Sequence, residues 1–177
     1  MSKTFLYFAY GSNLLSQRIL INNPSAVRKG IGKLKNYRLD FGFPFSRRWG
    51  GCPATIVPHD GKHVWGAVWE ICQSNMSDLD RQEGVNENTY FPIEVFVEAP
   101  NGSNFKCRSY QLSSTAEGLE HEEPLPKERQ PSEVYITVIK KGAEESKLPP
   151  DYVELLKNIP HNGSKGGEDV PVTLPLN

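Results

Sequence analysis

Hydrophobic positions fall in short bursts along the chain. Phe5-Leu-Tyr-Phe-Ala-Tyr10 is an apolar run stopped by Gly11, the pattern of a buried first strand. Ser12 and Asn13 follow as N-cap residues, and Leu14 to Ile21 reads as a short helix. Tyr37, Leu39, Phe41 and Phe43 alternate with Arg38, Asp40 and Gly42, the period of a half-buried strand. Ala54 to Val57 is a brief strand that Pro58 ends. Val64 to Ile71 is a mostly apolar strand, expected to be buried on both faces. Ile93, Val95, Val97 and Ala99 alternate with polar residues, Asn101-Gly102 supplies a turn, and Phe105 to Leu112 completes a hairpin.

Between these strands the period changes. Ser77-Asp-Leu-Asp-Arg-Gln-Glu-Gly84 has a cap, acidic residues in the first turn and a glycine stop, so it reads as a compact helix. Residues 116–131 are acidic and Pro-rich and read as a loop or flap. After Ser132, Tyr135, Val138 and Ile139 share a helical face, yet the β-branched run Ile136 to Ile139 suits a strand equally. Tyr152, Leu155, Leu156 and Ile159 follow the i, i+3, i+4, i+7 spacing of an amphipathic helix. Beyond Asn162 the chain is polar and rich in Gly and Pro. The pattern predicts one domain over residues 1–160 and a flexible tail over 161–177. The expected class is α+β: a small mixed, partly closed β-barrel of about six strands with flanking short helices.

Composition narrows the function. Twenty basic against 21 acidic side chains give a net charge of −1, which argues against a nucleic-acid surface. No apolar run approaches the length of a spanning helix, and the short aromatic run from Phe5 to Tyr10 is not expected to act as a signal peptide. Cys52, Cys72 and Cys107 are odd in number and lack a Cys-x-x-Cys unit, which favours reduced thiols in the cytoplasm. His59 and His63 flank a turn, so metal binding is not expected, and nucleotide-binding and hydrolase-elbow motifs are absent. Arg47-Arg48 beside Trp49 reads as ordinary loop solubility.

Two places carry candidate chemistry. Tyr10-Gly11-Ser12-Asn13-Leu14 sits where a strand turns into a helix, so its N–H groups form an anion or oxyanion cradle. A plain glycine turn accounts for the segment as well, and is the commoner case. Glu83 sits at the end of its helix, where the dipole and any burial raise a carboxyl pKa toward the value acid–base chemistry needs. A solvated surface glutamate is the commoner explanation of such a residue.

Phe8-Ala-Tyr-Gly-Ser-Asn-Leu14, Trp65-Gly-Ala-Val-Trp69, Leu79-Asp-Arg-Gln-Glu-Gly-Val85 and Cys107-Arg-Ser-Tyr110 together resemble the signature segments of the γ-glutamylcyclotransferases. Asn23-Pro-Ser-Ala26, Leu39-Asp-Phe-Gly42, Ala54-Thr-Ile56 and Pro131-Ser-x-x-Tyr135 extend the likeness over about residues 5 to 159. The animal γ-glutamyl-amino-acid branch is the nearer one. The resemblance implies cyclisation of a γ-glutamyl-amino acid to 5-oxoproline and a free amino acid, without cofactor. It assigns catalysis to Glu83. It assigns substrate binding to Tyr7, Phe8, Ala9, Tyr10, Gly11, Ser12, Asn13 and Leu14, with Tyr135, and with Tyr110 lining the same pocket. It also implies a homodimer. Two other readings compete: a sibling enzyme acting on glutathione or γ-glutamylamines, and a non-catalytic γ-glutamyl-binding module.

Overall fold

The computed structural model describes residues 3–173 and Leu176. Five strands close into a barrel in the order β1-β3-β2-β4-β5. They are β1 (Thr4–Ala9), β2 (Val27–Phe41), β3 (Ala54–Cys72), β4 (Tyr90–Glu98) and β5 (Asn104–Leu112). All neighbours are antiparallel except β1 and β5, which close the barrel in parallel at Tyr7 and Arg108. The barrel is therefore mixed as expected, but closed rather than partly open.

Two expected strands are one. Ala54 to Val57 and Val64 to Ile71 belong to a single β3, and Pro58 does not end it. The pairing slips instead: Lys35 faces His63, but Tyr37 faces Pro58, so Asn36 stands alone against residues 59–62. Asn36 takes a left-handed φ of 63°, and its Oδ1 accepts from the Gly61 N–H at 3.1 Å. Strand β2 also begins ten residues before the alternating stretch that announced it.

Four helices flank the barrel: α1 (Ser16–Asn22), α2 (Met76–Gln82), α3 (Glu133–Glu145) and α4 (Pro150–Lys157). A 3-10 turn over Ser12–Leu14 precedes α1, and neither Ser12 nor Asn13 caps it through its side chain. Likewise Ser77 lies inside α2 rather than at its cap. Residues after 132 are helical: the Ser132 hydroxyl accepts from the Tyr135 N–H at 3.1 Å, and the β-branched run is buried on one face. On α4, Tyr152 and Leu156 are buried while Leu155 stays exposed, so its stripe is narrower than the spacing suggests.

Residues 162–173 run back over the molecule. Asn162 N–H donates to Pro131 O, Gly167 N–H to Arg48 O, and the Val134 N–H at the start of α3 to Ser164 O. The 116–131 segment is held by a buried ion pair, Arg129 Nη2 to Asp40 Oδ1 at 2.5 Å, and by Arg38 donating to Leu119 O. Among the described residues, no helix is long and apolar enough to cross a membrane.

Gly142 sets the depth at which α3 meets the turn after β1. A Cβ there would stand 2.5 Å from Leu14 Cβ and 2.6 Å from Leu15 N, closer than packed atoms approach. Gly142→Ala is therefore expected to cost about 1–3 kcal/mol and to push the 12–14 turn outward. Thermal denaturation should show a midpoint lower by several degrees; an unchanged midpoint would contradict the close packing.

Candidate active site

One end of the barrel gathers the chemistry. The apolar run of β1 ends at Ala9, and the chain turns through Tyr10 and Gly11 into the Ser12–Leu14 turn. The first N–H groups of that turn have no partner within it. The Asn13 side chain points back and donates to the Tyr7 hydroxyl at 3.1 Å and, at a long 3.4 Å, to Glu83 Oε1. Gln82 Nε2 donates to Asn13 Oδ1 at 3.1 Å, and Asn23 Nδ2 donates to Gln82 Oε1 at 3.1 Å. The indole of Trp69 donates to the Asn13 carbonyl at 2.9 Å. Asn13 is thus fixed from three elements.

Glu83 occupies the C-cap of α2, and Gly84 reverses the chain with a φ of 67° that a glycine adopts freely. An Arg108–Asp80 ion pair holds the same helix: Nη2 reaches the two carboxylate oxygens at 2.9 and 3.0 Å. The Tyr110 hydroxyl donates to Asp80 Oδ1 at 2.5 Å. Glu83 is half-buried and borders a cavity walled by tyrosines. Burial pushes its pKa up to about 7, and the Asp80 carboxylate adds to the rise. Arg18 and the Tyr7 hydroxyl act in the opposite sense. Burial leads, and the shift has the direction expected from the sequence.

The carboxyl opens onto a small cavity of about 40 Å³, walled by Tyr7, Tyr10, Gly11, Ser12, Asn13, Tyr110 and Tyr135. Of the residues singled out in the sequence, these seven and Glu83 converge. Phe8, Ala9 and Leu14 do not: their side chains are fully buried in the core. Ala54 and Tyr90 complete the wall and were not foreseen. Tyr90 donates to Ala54 O at 2.6 Å, while the Ala54 N–H donates to the Tyr135 hydroxyl at 3.0 Å. Tyr90 lies at the start of a strand beside Phe91 and Ile93, where an aromatic residue reads as core.

Ser12, Glu83, Tyr90 and Tyr135 also border a second cavity of about 290 Å³. Its lining also includes Arg18, Arg48 and Trp49, whose ring lies tilted against Tyr135 with centroids 4.9 Å apart. Arg48 and Trp49, read from sequence as a solubility loop, therefore face the site. Arg18 carried a signal that went unread: it shares the Leu14, Leu15, Ile19 stripe, where a cation is out of place. Among the described residues, none of the 116–131 segment borders either cavity.

A closed mixed barrel with a Tyr-Gly-Ser-Asn turn set against a buried carboxyl defines the class. Residues 63–156 match the AIG2-like family model. The chain is 45% identical to the γ-glutamylcyclotransferase of Bos taurus and 42% identical to that of Homo sapiens, over 93% of its own length and 83% of theirs. A solved γ-glutamyl cyclotransferase superposes with a TM-score of 0.83 at 40% identity, covering 95% of this chain and 96% of that one. The chain belongs to the γ-glutamylcyclotransferase family.

The raised Glu83 pKa makes stability depend on pH. Its folded value near 7 lies above its ordinary value of 4.5, so the folded chain holds the proton more tightly. The resulting stabilisation is full below pH 4.5 and is lost as pH rises through 7, about 3 kcal/mol in all. Glu83→Gln removes that titration. The thermal midpoint of the variant relative to the parent should climb between pH 5 and pH 8. A difference that stays flat across this range would refute the buried-carboxyl account.

Proposed function

We propose that the protein cyclises γ-glutamyl-amino acids to 5-oxoproline, with Glu83 as the single acid–base group. The observation that carries this reading is a carboxyl with a pKa near 7 facing a tyrosine-walled cavity beside the Gly11–Asn13 turn. The γ-glutamyl α-ammonium gives a proton to the Glu83 carboxylate. The freed amine attacks the γ-carbonyl carbon, forming the lactam C–N bond. The developing oxyanion lies against the N–H groups of the turn. Glu83 then returns the proton to the leaving nitrogen as the original amide bond breaks, and relays the second proton of the attacking nitrogen the same way, so the lactam keeps one N–H and the amino acid leaves as its ammonium. Atoms balance without water, metal or redox partner.

A group with a pKa near the working pH serves both transfers, because neither protonation state is scarce. Attack within one molecule lightens the remaining task. Holding amine and carbonyl in contact supplies several kcal/mol, up to about 7–11 in ideal geometry. Support for the amino-acid branch comes from the identity to the animal enzymes. A non-catalytic module would have no use for an acid–base group in the cavity. A cytoplasmic setting fits the three free cysteines. A homodimer belongs to the same proposal and predicts a sedimentation mass near twice the 19.9 kDa of the chain; a monomer at micromolar concentration would remove it.

Purified protein is expected to release 5-oxoproline from γ-glutamyl-alanine faster than from glutathione or γ-glutamyl-ε-lysine. Its kcat/KM should rise with pH to a limb near 7, set by Glu83 in the free enzyme. Glu83→Gln should fold normally and lose about 10²–10⁴ in kcat. A variant keeping half its turnover would remove Glu83 from the chemistry.

A further inference from the structure

Arg18 is the least explained charge in the molecule. Only 6% of it is exposed, yet its Nε and Nη1 are buried with no hydrogen-bond partner among the described residues. Glu83 acts on it at a distance, through charge alone, and burial is the larger influence. A buried guanidinium without a partner costs folding free energy, so a fold that keeps one leaves its donors for something else. Arg18 lies on α1 and borders the larger cavity together with Trp49 and the exposed Arg48. Arg18 does not border the small cavity that holds the Glu83 carboxyl and the turn.

The two cavities meet at Ser12, Glu83, Tyr90 and Tyr135. A substrate whose reacting carbonyl lies at that junction extends its leaving half into the larger space. We propose that this larger chamber is the subsite for the leaving amino acid, and that Arg18 binds its α-carboxylate. The proposal rests on the cyclotransferase reading above. Arginine suits the task because its planar fork gives two parallel N–H donors to a carboxylate, and the bond is strongest where water is excluded. The Trp49 ring and the prolines at 44 and 53 line the same chamber and give the amino-acid side chain an apolar wall. The chamber therefore distinguishes γ-glutamyl-amino acids from γ-glutamylamines: only the former carry a carboxylate on the carbon next to the amide nitrogen, within reach of Arg18.

The test compares γ-glutamyl-alanine with γ-glutamyl-ethylamide, the same amide without the leaving carboxylate. For the parent enzyme, kcat/KM should favour the alanine substrate by about 10- to 100-fold, the worth of a charged hydrogen-bonded contact. In Arg18→Met the ratio should fall to near one. Taking the ratio at one pH cancels any change that the variant makes to Glu83, since both substrates feel it. An equal loss on both substrates would overturn the assignment and place Arg18 against the glutamyl half or Glu83. An unchanged ratio and rate would leave Arg18 without a ligand and overturn it too. Should Arg18→Met fail to fold, product inhibition of the parent enzyme decides: free alanine must compete with substrate, and ethylamine at the same concentration must not. If the parent enzyme forms no 5-oxoproline from either compound, the cyclotransferase reading fails and this subsite falls with it, a result distinct from an active enzyme with an unaltered ratio.

Discussion

The Glu83 carboxyl sits where water would otherwise solvate it, and most of the site can be understood as the means of keeping it there. A carboxylate withdrawn from water swings back to it unless its backbone is fixed. Helix α2 is therefore anchored on both sides. Arg108 and Tyr110 of β5 grip Asp80, one turn before Glu83, at 2.5 to 3.0 Å. Leu79, fully buried, plants the same turn in the core. Asp80 thereby does two things at once: it fixes the helix, and its charge raises the proton affinity of Glu83.

The opposing side of the cavity is fixed by neutral groups. Asn23, Gln82 and Asn13 pass amide hydrogen bonds from α1 through α2 to the turn after β1. Gln82 and Asn13 each accept one bond and donate another, so the orientation of one constrains the next. From outside, Arg28 lies over Trp69 at 4.4 Å, and its Nη2 donates to the Leu14 carbonyl at 3.0 Å. Its partner Glu145 also accepts from the Ser16 N–H at the start of α1. The turn is thus gripped between α3 and the barrel. Such a turn can present its N–H groups to a ligand without reorganising, which is the condition for electrostatic stabilisation of developing charge.

The parts of this arrangement differed in how plainly they could be read. Strand β1 and the glycine turn were visible because an apolar run and an abrupt stop are local signals. Glu83 and Gly84 were visible for the same reason, at the end of a capped-looking helix. The continuity of β3 was hidden: Pro58 and the polar residues 59–63 look like a break, and only pairing with β2 around Asn36 shows otherwise. Phe8, Ala9 and Leu14 belonged to the recognisable motif yet serve the core, where their side chains are fully buried. Arg18 and Tyr90 escaped because their roles depend on which elements meet across the barrel. The segment after 162 has the composition of a tail, but its backbone finds partners on Arg48, Pro131 and Val134.

The closure of the barrel explains why the site could form where it did. Pairing β1 in parallel with β5 points the C-terminal ends of both strands the same way. β3 runs antiparallel to β1, and β4 antiparallel to β5, so the starts of β3 and β4 arrive at that same end. Tyr10 follows the end of β1, Ala54 begins β3, Tyr90 begins β4 and Tyr110 lies near the end of β5. These residues are far apart in sequence, and all four border the small cavity. Phe41 ends β2 at this rim and meets the Tyr135 ring edge-on at 6.4 Å, so α3 is seated over the opening by an aromatic contact. With five strands and four antiparallel pairings, β1 and β5 must run the same way, which puts Tyr10 and Tyr110 at one end. The single parallel contact is therefore what converts a short aromatic run and a distant hairpin into two walls of one pocket.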